Sequence, residues 1–554
     1  MRRIAILLAL LSLGGVLHVV AQAGPQFRID DPIRADPDSL EFDKPAVWRT
    51  QQIYDVYENL FLGRGEEAQP RAVNVNTLGE VPDSSWFNNR IGARSIDIDE
   101  IVTGPNLTGG PAPGPFTVIG RPTGGVTPKF LIEDTAGQRF ILKFDPIDYP
   151  ELASSVDMIC SKLFWAAGYN VAEGYITALT KDRLLIGEGA IFENELGEEA
   201  LIIQEDIDAW MENAPSDSNG FYRAQASKFI SGEQVGEFRF YGTRSDDPND
   251  IFPHEHRREL RGYRVLAAWL NHDDSRATNT YDAFVGEGDR GSIEHYLLDF
   301  GSCLGSASIG ANLPSGGHEY FMEMGPILKS MATLGIWSRP WLHADFPDYP
   351  AVGNIEAEYF VPELWKAEYP NAAYDHMDAA DAFWATRIVA EFTDEIVRAV
   401  VEAGQISDPE AEAYLVDTLI ERRDKVLATW LTLTNPLDGF EVSGSGAASL
   451  SATWDNAAIR AGVAASGVSY RVQWYSFDND AGTRNEAGRE ATVTVGRTQV
   501  PASAWGPRDS NGMRYAQAGI STDHADFPNW SQPVVMTVRD RNGSFDIVGI
   551  VRPR

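Results

Sequence analysis

Cysteine is nearly absent, with two in 554 residues, too few for a disulfide scaffold or a four-cysteine zinc site. Basic residues are scarce: 46 Lys+Arg stand against 80 Asp+Glu, a net charge of −34 and a pI near 4.6. Such a chain lacks the positive charge that neutralises phosphates, which excludes nucleic acid and anionic lipid as main partners. After the first twenty residues no apolar run is long enough to span a membrane. No solenoid-type repeat, P-loop, nucleophile elbow or zinc-protease helix motif is present. Hydrophobic residues at 43% and charged residues at 23% are ordinary globular usage, so wholesale disorder is excluded. The length suits two or three domains.

What is there begins with a targeting segment. Arg2 and Arg3 precede an apolar run over residues 4–20, and Ala21-Gln22-Ala23 follows as a small-x-small cleavage site. Residues 1–23 read as a signal peptide, with export to the periplasm or the extracellular space. No cysteine near the cleavage site offers lipid attachment. Cleavage would leave a soluble acidic protein without an integral membrane segment.

Residues 24–115 form an N-terminal extension rich in Pro, Asp and Gly, with helical spacing of Ile53, Val56, Leu60 and Phe61. Between Gly104 and Gly125 lie seven glycines and five prolines, a loop or irregular strand. Two β-like runs, 130–133 and 138–144, are joined by Asp134-Thr135-Ala136-Gly137 as a hairpin. A helix is expected from about Pro150 to Ala167, with Leu152, Val156, Ile159, Leu163 and Phe164 on one face and Gly168 as its stop. Residues 174–240 read as β-rich, 254–270 as helix, and 351–433 as mostly helical. From Thr434 onward lysine disappears and 12 acids nearly balance 11 arginines. Six or seven strand-like runs there, separated by turns such as Asn511-Gly512 and Asn542-Gly543, indicate a β-sandwich over 434–554.

Three segments carry chemistry. Phe140-Ile141-Leu142-Lys143-Phe144 puts one lysine in an apolar strand, where it can reach phosphate oxygens as a point charge. The run 270–279 contains His272, Asp273, Asp274, Arg276 and Asn279. Leu297-Leu298-Asp299-Phe300-Gly301 ends a strand in an acid and a glycine turn. Phosphoryl transfer needs a carboxylate for the acceptor, hard-oxygen metal ligands and a cation on the non-transferred phosphates.

The order and spacing resemble the protein kinases: Asp274 and Asn279 are five apart, as in His-Arg-Asp-x-x-x-x-Asn, and Asp-Phe-Gly follows 20 residues later. Arg276 stands where many kinases place a catalytic-loop lysine. Asp273 departs from the pattern's arginine, which puts conventional activation-loop control in doubt. Thr123-Gly124-Gly125-Val126-Thr127-Pro128-Lys129-Phe130 is similar to the glycine-containing loop of HipA-type kinases, and residues 155–171 to their helix and following turn. The resemblance covers about residues 115–310, with a looser extension to 430. It implies an α+β, two-lobed kinase-like domain over 116–433, with an antiparallel-sheet N-lobe and a helical C-lobe, followed by the all-β sandwich. It implies ATP and Mg²⁺ as cofactors. Gly124 and Gly125 would let backbone amides approach phosphates, Lys143 would hold the α/β-phosphates, and Asp157, or else Glu151, would pair with it. Asp274 and Arg276 would be catalytic, and Asn279 and Asp299 would hold the metal. The acceptor, protein or small molecule, is not readable. Trp530-Ser531-Gln532-Pro533-Val534-Val535 resembles the last-strand region of fibronectin type III modules, which implies a surface partner for the sandwich. The alternative, motivated by the scarcity of ATP outside the cytoplasm, is a non-catalytic kinase-like envelope or surface binding protein.

The same arrangement would bring Cys160 and Cys303 near each other, either bridged in an oxidising compartment or as two buried thiols. His254-Glu255-His256 followed by two arginines reads as a helix start with solvated charges, and Asp246, Asp247 and Asp250 as an acidic surface loop.

Overall fold

The computed structural model describes residues 25–36, 38–63, 65, 68–122, 127–193 and 198–553; the expected signal peptide and the Gly124–Gly125 pair lie outside them. Among the described residues, eleven strands precede the sandwich: β1 (Phe42–Asp43), β2 (Phe116–Gly120), β3 (Lys129–Glu133), β4 (Arg139–Phe144), β5 (Gly174–Thr180), β6 (Leu184–Glu193), β7 (Glu199–Leu201), β8 (Phe221–Lys228), β9 (Glu233–Gly236), β10 (Thr280–Glu287) and β11 (Arg290–Leu297). They make a seven-stranded sheet in the order β5-β8-β4-β3-β2-β6-β7 and a four-stranded sheet β1-β11-β10-β9. All neighbours are antiparallel except β2 and β6. The N-lobe sheet is thus larger than the sequence suggests and contains one parallel pair.

Strand alternation decides which residues face the site. In β4 the buried set Phe140, Leu142 and Phe144 joins Phe130, Ile132, Leu179 and Ala226 in one core, capped by α4 (Gln204–Met211) through Ile207 and Met211. Ile141 and Lys143 therefore lie on the opposite face. A second core gathers α3 (Leu152–Ala167), α5 (Arg258–Leu270), α8 (Ala379–Ala390), α9 (Asp394–Glu402) and α10 (Pro409–Trp430). The earlier helices α1 (Gln52–Tyr57) and α2 (Ile98–Thr103), with α6 (Met324–Ala332) and the short α7 (Ala372–Asp375), complete this part of the chain. α3 ends at Gly168, whose φ of 129° and contact with the Phe87 ring leave no room for a Cβ. The extension contributes Val81, Trp86, Phe87 and Ile91 to the same core.

The C-terminal region is all β. A three-stranded sheet β12-β13-β17 faces a six-stranded sheet running β15-β14-β18-β19-β20, with β16 also on β14. These strands are β12 (Leu437–Ser443), β13 (Ser451–Asn456), β14 (Ser469–Asp478), β15 (Thr483–Glu486), β16 (Ala491–Val493), β17 (Arg497–Gln499), β18 (Arg514–Asp523), β19 (Val534–Arg541) and β20 (Ser544–Val551). Many contacts cross position 434, among them the Arg387–Asp438 ion pair, the Ile550 amide donating to the Thr77 carbonyl, and Arg552 over the Phe383 ring. Phe27 stacks on Tyr515, at 5.7 Å between ring centroids, and Trp530 joins the helical core while donating to the Thr432 carbonyl.

Two expectations are corrected here. His254–His256 is a buried 3-10 turn, not a solvated helix start. His254 Nε2 lies 2.8 Å from Asp250, Arg257 lies over the Trp86 ring, and Arg258 and Arg261 meet Asp381 at 2.9 and 3.2 Å. Asp247 and Asp250 are likewise buried rather than on the surface. These charges tolerate burial because each meets an opposite charge or a hydrogen-bond partner, local for Asp247, Asp250 and His254 and distant for Arg258 and Arg261.

Candidate functional site

A cavity of about 450 Å³ lies between the large sheet and the β10–β11 hairpin. The pairing register builds its roof: Lys129 sits opposite Lys143 and Leu131 opposite Ile141, while β8 sets Gln225 beside Lys143 and Ser227 beside Ile141. Its floor is Leu297, Tyr281 and Asn279, and Phe229 and Ile230 line one side just after β8. The lining is apolar at Leu131, Ile141 and Leu297, and Lys143, Asp157 and Asp299 cluster as a charged end.

At the charged end Lys143 Nζ donates to Asp299 Oδ1 at 2.8 Å and lies 4.0 Å from Asp157 Oδ2. Gln225 Nε2 donates to the other Asp157 oxygen at 3.1 Å. Glu151 is elsewhere, accepting from the Ser407 amide, so of the two carboxylates expected near Lys143 it is Asp157 that arrives. Burial opposes the Lys143 charge, but Asp299 and Asp157 outweigh it and raise its pKa. Lys143 in turn holds Asp299 below the usual carboxylate range, whereas burial carries Asp157 up to about 6. Lys129 is pushed down by burial and by Lys143.

Asp299 adopts a left-handed conformation, φ 59°, which turns its carboxylate toward the strand lysine while the chain passes into Phe300-Gly301-Ser302. Phe300 stacks on Phe164 of α3 at 5.0 Å, with His272 5.8 Å from Phe300 and 6.0 Å from Tyr263. His272 is fully surrounded, and burial lowers its pKa to about 3, so it packs as a neutral ring. This aromatic column fixes the Asp299 segment against α3.

Asn271, also left-handed at φ 48°, ends α5 and directs the chain into the 272–279 loop. Asn279 Nδ2 donates to the Asp274 carbonyl at 2.8 Å, closing that loop and leaving its Oδ1 as an unused acceptor at the cavity. Asp274 is partly buried and lies 2.6 Å from Arg276, whose Nη1 reaches Glu368 at 2.8 Å. Burial raises Asp274 to about 7; Arg276 lowers it and Glu368 raises it. Asp273 is buried and pushed up to about 8 by burial, Glu368 and Asp274, and it accepts from Asn312 Nδ2 at 2.8 Å. The position where kinases carry arginine thus holds the following segment by a neutral hydrogen bond.

The residues present suit a Mg²⁺-bound phosphate. Among the described residues no cluster of three or more His, Cys, Asp or Glu forms a metal cage, and Mg²⁺ with phosphates needs only one or two protein oxygens. Asn279 Oδ1 and the Asp299 oxygen that Lys143 does not bond are such oxygens. Six of the expected site residues (Lys143, Asp157, Asp274, Arg276, Asn279 and Asp299) lie at or beside the cavity, and Gly124 and Gly125 lie outside the described residues. Glu368, Asn312, Leu131, Phe229 and Ile230 were not anticipated; the first two are far away in sequence and the rest look like ordinary apolar positions.

Cys160 and Cys303, both fully buried, are free thiols beside one another. The bridge is not formed, and burial pushes the Cys303 thiol well up.

No protein-family model and no curated protein matches the chain. Among solved structures, the Helicobacter pylori proinflammatory kinase CtkA is similar over 55% of this chain and 90% of its own, at 14% identity and a TM-score of 0.30. The Golgi casein kinase is similar over 59% of this chain and 75% of its own, at 10% identity and a TM-score of 0.28. With Mn/ADP bound, that kinase gives 8% identity, 59% and 73% coverage and a TM-score of 0.27. Overlap this slight fixes no substrate, metal or acceptor. The solved structures it resembles are protein kinases.

Proposed function

We propose that the chain is an exported phosphotransferase of the atypical, HipA-related kinase type, using ATP with Mg²⁺. The observation that carries this reading is the meeting of Lys143, Asp157, Asn279 and Asp299 in a cavity also lined by Leu131, Ile141 and Leu297, with Asp274 and Arg276 alongside. Bound Mg-ATP supplies the transferable phosphoryl group and a cation to neutralise it. Leu131, Ile141, Leu297 and Ile230, which line the cavity, would supply apolar contact to the base. Lys143, kept charged by two carboxylates, holds the non-transferred phosphates. Asn279 and Asp299 hold the cation by oxygen. Asp274 orients the acceptor hydroxyl and takes its proton, and Arg276 keeps that carboxyl partly ionised near neutrality.

The Arg2-Arg3 start, apolar run and small-x-small site support an export signal over residues 1–23 and action outside the cytoplasm. The β12-β13-β17 sheet facing the larger sheet suits a fibronectin type III-like accessory module over 434–554. Thermal-shift titration with Mg-ATP tests the site. At a ligand concentration about 100 times Kd, binding stabilises by about 2.7 kcal/mol, so the wild-type melting temperature should rise by several degrees. Lys143→Met and Asp299→Asn should abolish the rise. Equal stabilisation in wild type and both variants would remove the site assignment.

A further inference from the structure

This chain carries 80 acids in 554 residues, yet from Met324 to Ala344 twenty-one consecutive residues include none. α6 opens that run, and none of its residues is buried. Phe321, Met324, Leu328, Met331, Leu334 and Ile336 are 57–90% exposed. At roughly 160 Å² for a fully exposed large apolar side chain, these six present on the order of 700 Å². The largest apolar patch on a typical monomer is about 300–600 Å², and a stable interface takes about 800 Å² from each partner.

The segment is anchored. Lys329 Nζ lies 4.2 Å above the Trp337 ring, His318 stacks on Trp341 at 4.9 Å, Arg339 pairs with Glu319, and Lys366 reaches Glu323 at 2.6 Å. The Phe321 amide donates to the Glu368 carbonyl at 2.5 Å. Both of the run's Lys/Arg residues are thus engaged within the protomer, the exposed residues 324–344 carry no acid, and the flanking Glu319 and Glu323 are paired with Arg339 and Lys366.

We propose that this face docks a second copy of the same chain in a two-fold, isologous dimer. Charge and area identify the occupant. Two molecules of net charge −34 repel wherever acids face each other, and an acid-free apolar face is where they approach at least electrostatic cost. Its area is about what one half of a standard interface requires. A strongly charged partner would find no complementary charge on it, and an anionic membrane would meet the protein's negative field.

A specific salt response follows. Screening the long-range repulsion favours the dimer, so association strengthens as salt rises, the reverse of an interface built on ion pairs. Sedimentation equilibrium of the full chain should detect a species of twice 61.0 kDa, its population growing between about 0.05 and 0.5 M NaCl. Met331→Glu combined with Ile336→Glu should weaken association at least tenfold, with the melting temperature of the dilute monomer unchanged, since both side chains are exposed. Val495→Glu, an exposed apolar position on the sandwich, should leave it unaltered. A monomer at every concentration and salt overturns the proposal. So does a dimer that the double substitution spares, or one that salt dissolves. A monomer that co-sediments with phosphatidylcholine/phosphatidylglycerol vesicles also overturns it and assigns the face to a lipid surface.

Discussion

The Asp274–Arg276–Glu368 chain makes a directional prediction about pH. Turnover requires Asp274 as a carboxylate, and burial has raised it to about 7. The rate should therefore climb with pH to a plateau, with its midpoint near that value. Arg276 is the group holding the midpoint down, at 2.6 Å from the carboxylate. Removing such a close opposite charge moves a carboxyl pKa by about 1–3 units, each worth 1.36 kcal/mol. Arg276→Gln should therefore carry the midpoint of the residual rate above about 8 and cut the ionised fraction at neutral pH from roughly one half to below one tenth. Glu368→Gln should act the other way, because Glu368 both repels the ionised form of Asp274 and draws on Arg276. Its carboxylate is more than one-third exposed, and screening by water reduces the displacement to a few tenths of a unit. The assay is initial phosphate release from Mg-ATP between about pH 5.5 and 9, at constant ionic strength, with nucleotide binding measured at each pH. A profile without a limb between about pH 6 and 8, or an Arg276→Gln midpoint that moves down, would refute the assignment of Asp274 as the base.

Three further outcomes are expected. His254 is buried, which disfavours its charge, but Asp250 at 2.8 Å outweighs burial and raises its pKa. The stability it contributes is fully present below the unfolded value near 6.5 and is lost as pH rises through the folded one; Asp250→Asn should cost about 3 kcal/mol or more and flatten that slope in urea melts at stepped pH. Alkylation of unfolded, unreduced protein should label both Cys160 and Cys303, because the buried Cys303 thiol resists forming the thiolate that oxidation needs; a mass with neither labelled would contradict this. A chain ending at Leu433 loses Trp530 from the helical core and the Tyr515 partner of Phe27, so it should still bind Mg-ATP but melt several degrees lower; complete loss of nucleotide binding would show that the two parts share one folding unit.

Much of the site is legible because its parts are local. The alternation of Phe130 and Ile132, then Phe140 and Leu142, around Asp134-Thr135-Ala136-Gly137 leads directly to the β3–β4 hairpin and to the face that Lys143 occupies. The apolar stripe from Leu152 to Phe164 and the stop at Gly168 delimit α3, and Asp157 follows from its position there. What was hidden depends on distant partners. A run of His, Glu and Arg over 254–258 reads as solvated until Asp381, 123 residues beyond Arg258, pairs with it. Glu368 reaches Arg276 across 92 residues and Asn312 reaches Asp273 across 39, and no spacing rule links those positions. The β10–β11 hairpin escaped because acids and glycines interrupt its alternation. The apolar residues around α6 have the pattern of a core helix, and periodicity cannot say whether a core lies beneath it.

The central claim is that this cavity delivers the terminal phosphoryl group of ATP to an acceptor oriented by Asp274. Product analysis after incubating the full chain with Mg-ATP tests it most directly, since water can serve as the acceptor. The wild type should yield ADP and inorganic phosphate, and Asp274→Ala neither, although that variant should still gain thermal stability from Mg-ATP. AMP with pyrophosphate, or phosphate release undiminished in Asp274→Ala, would contradict it.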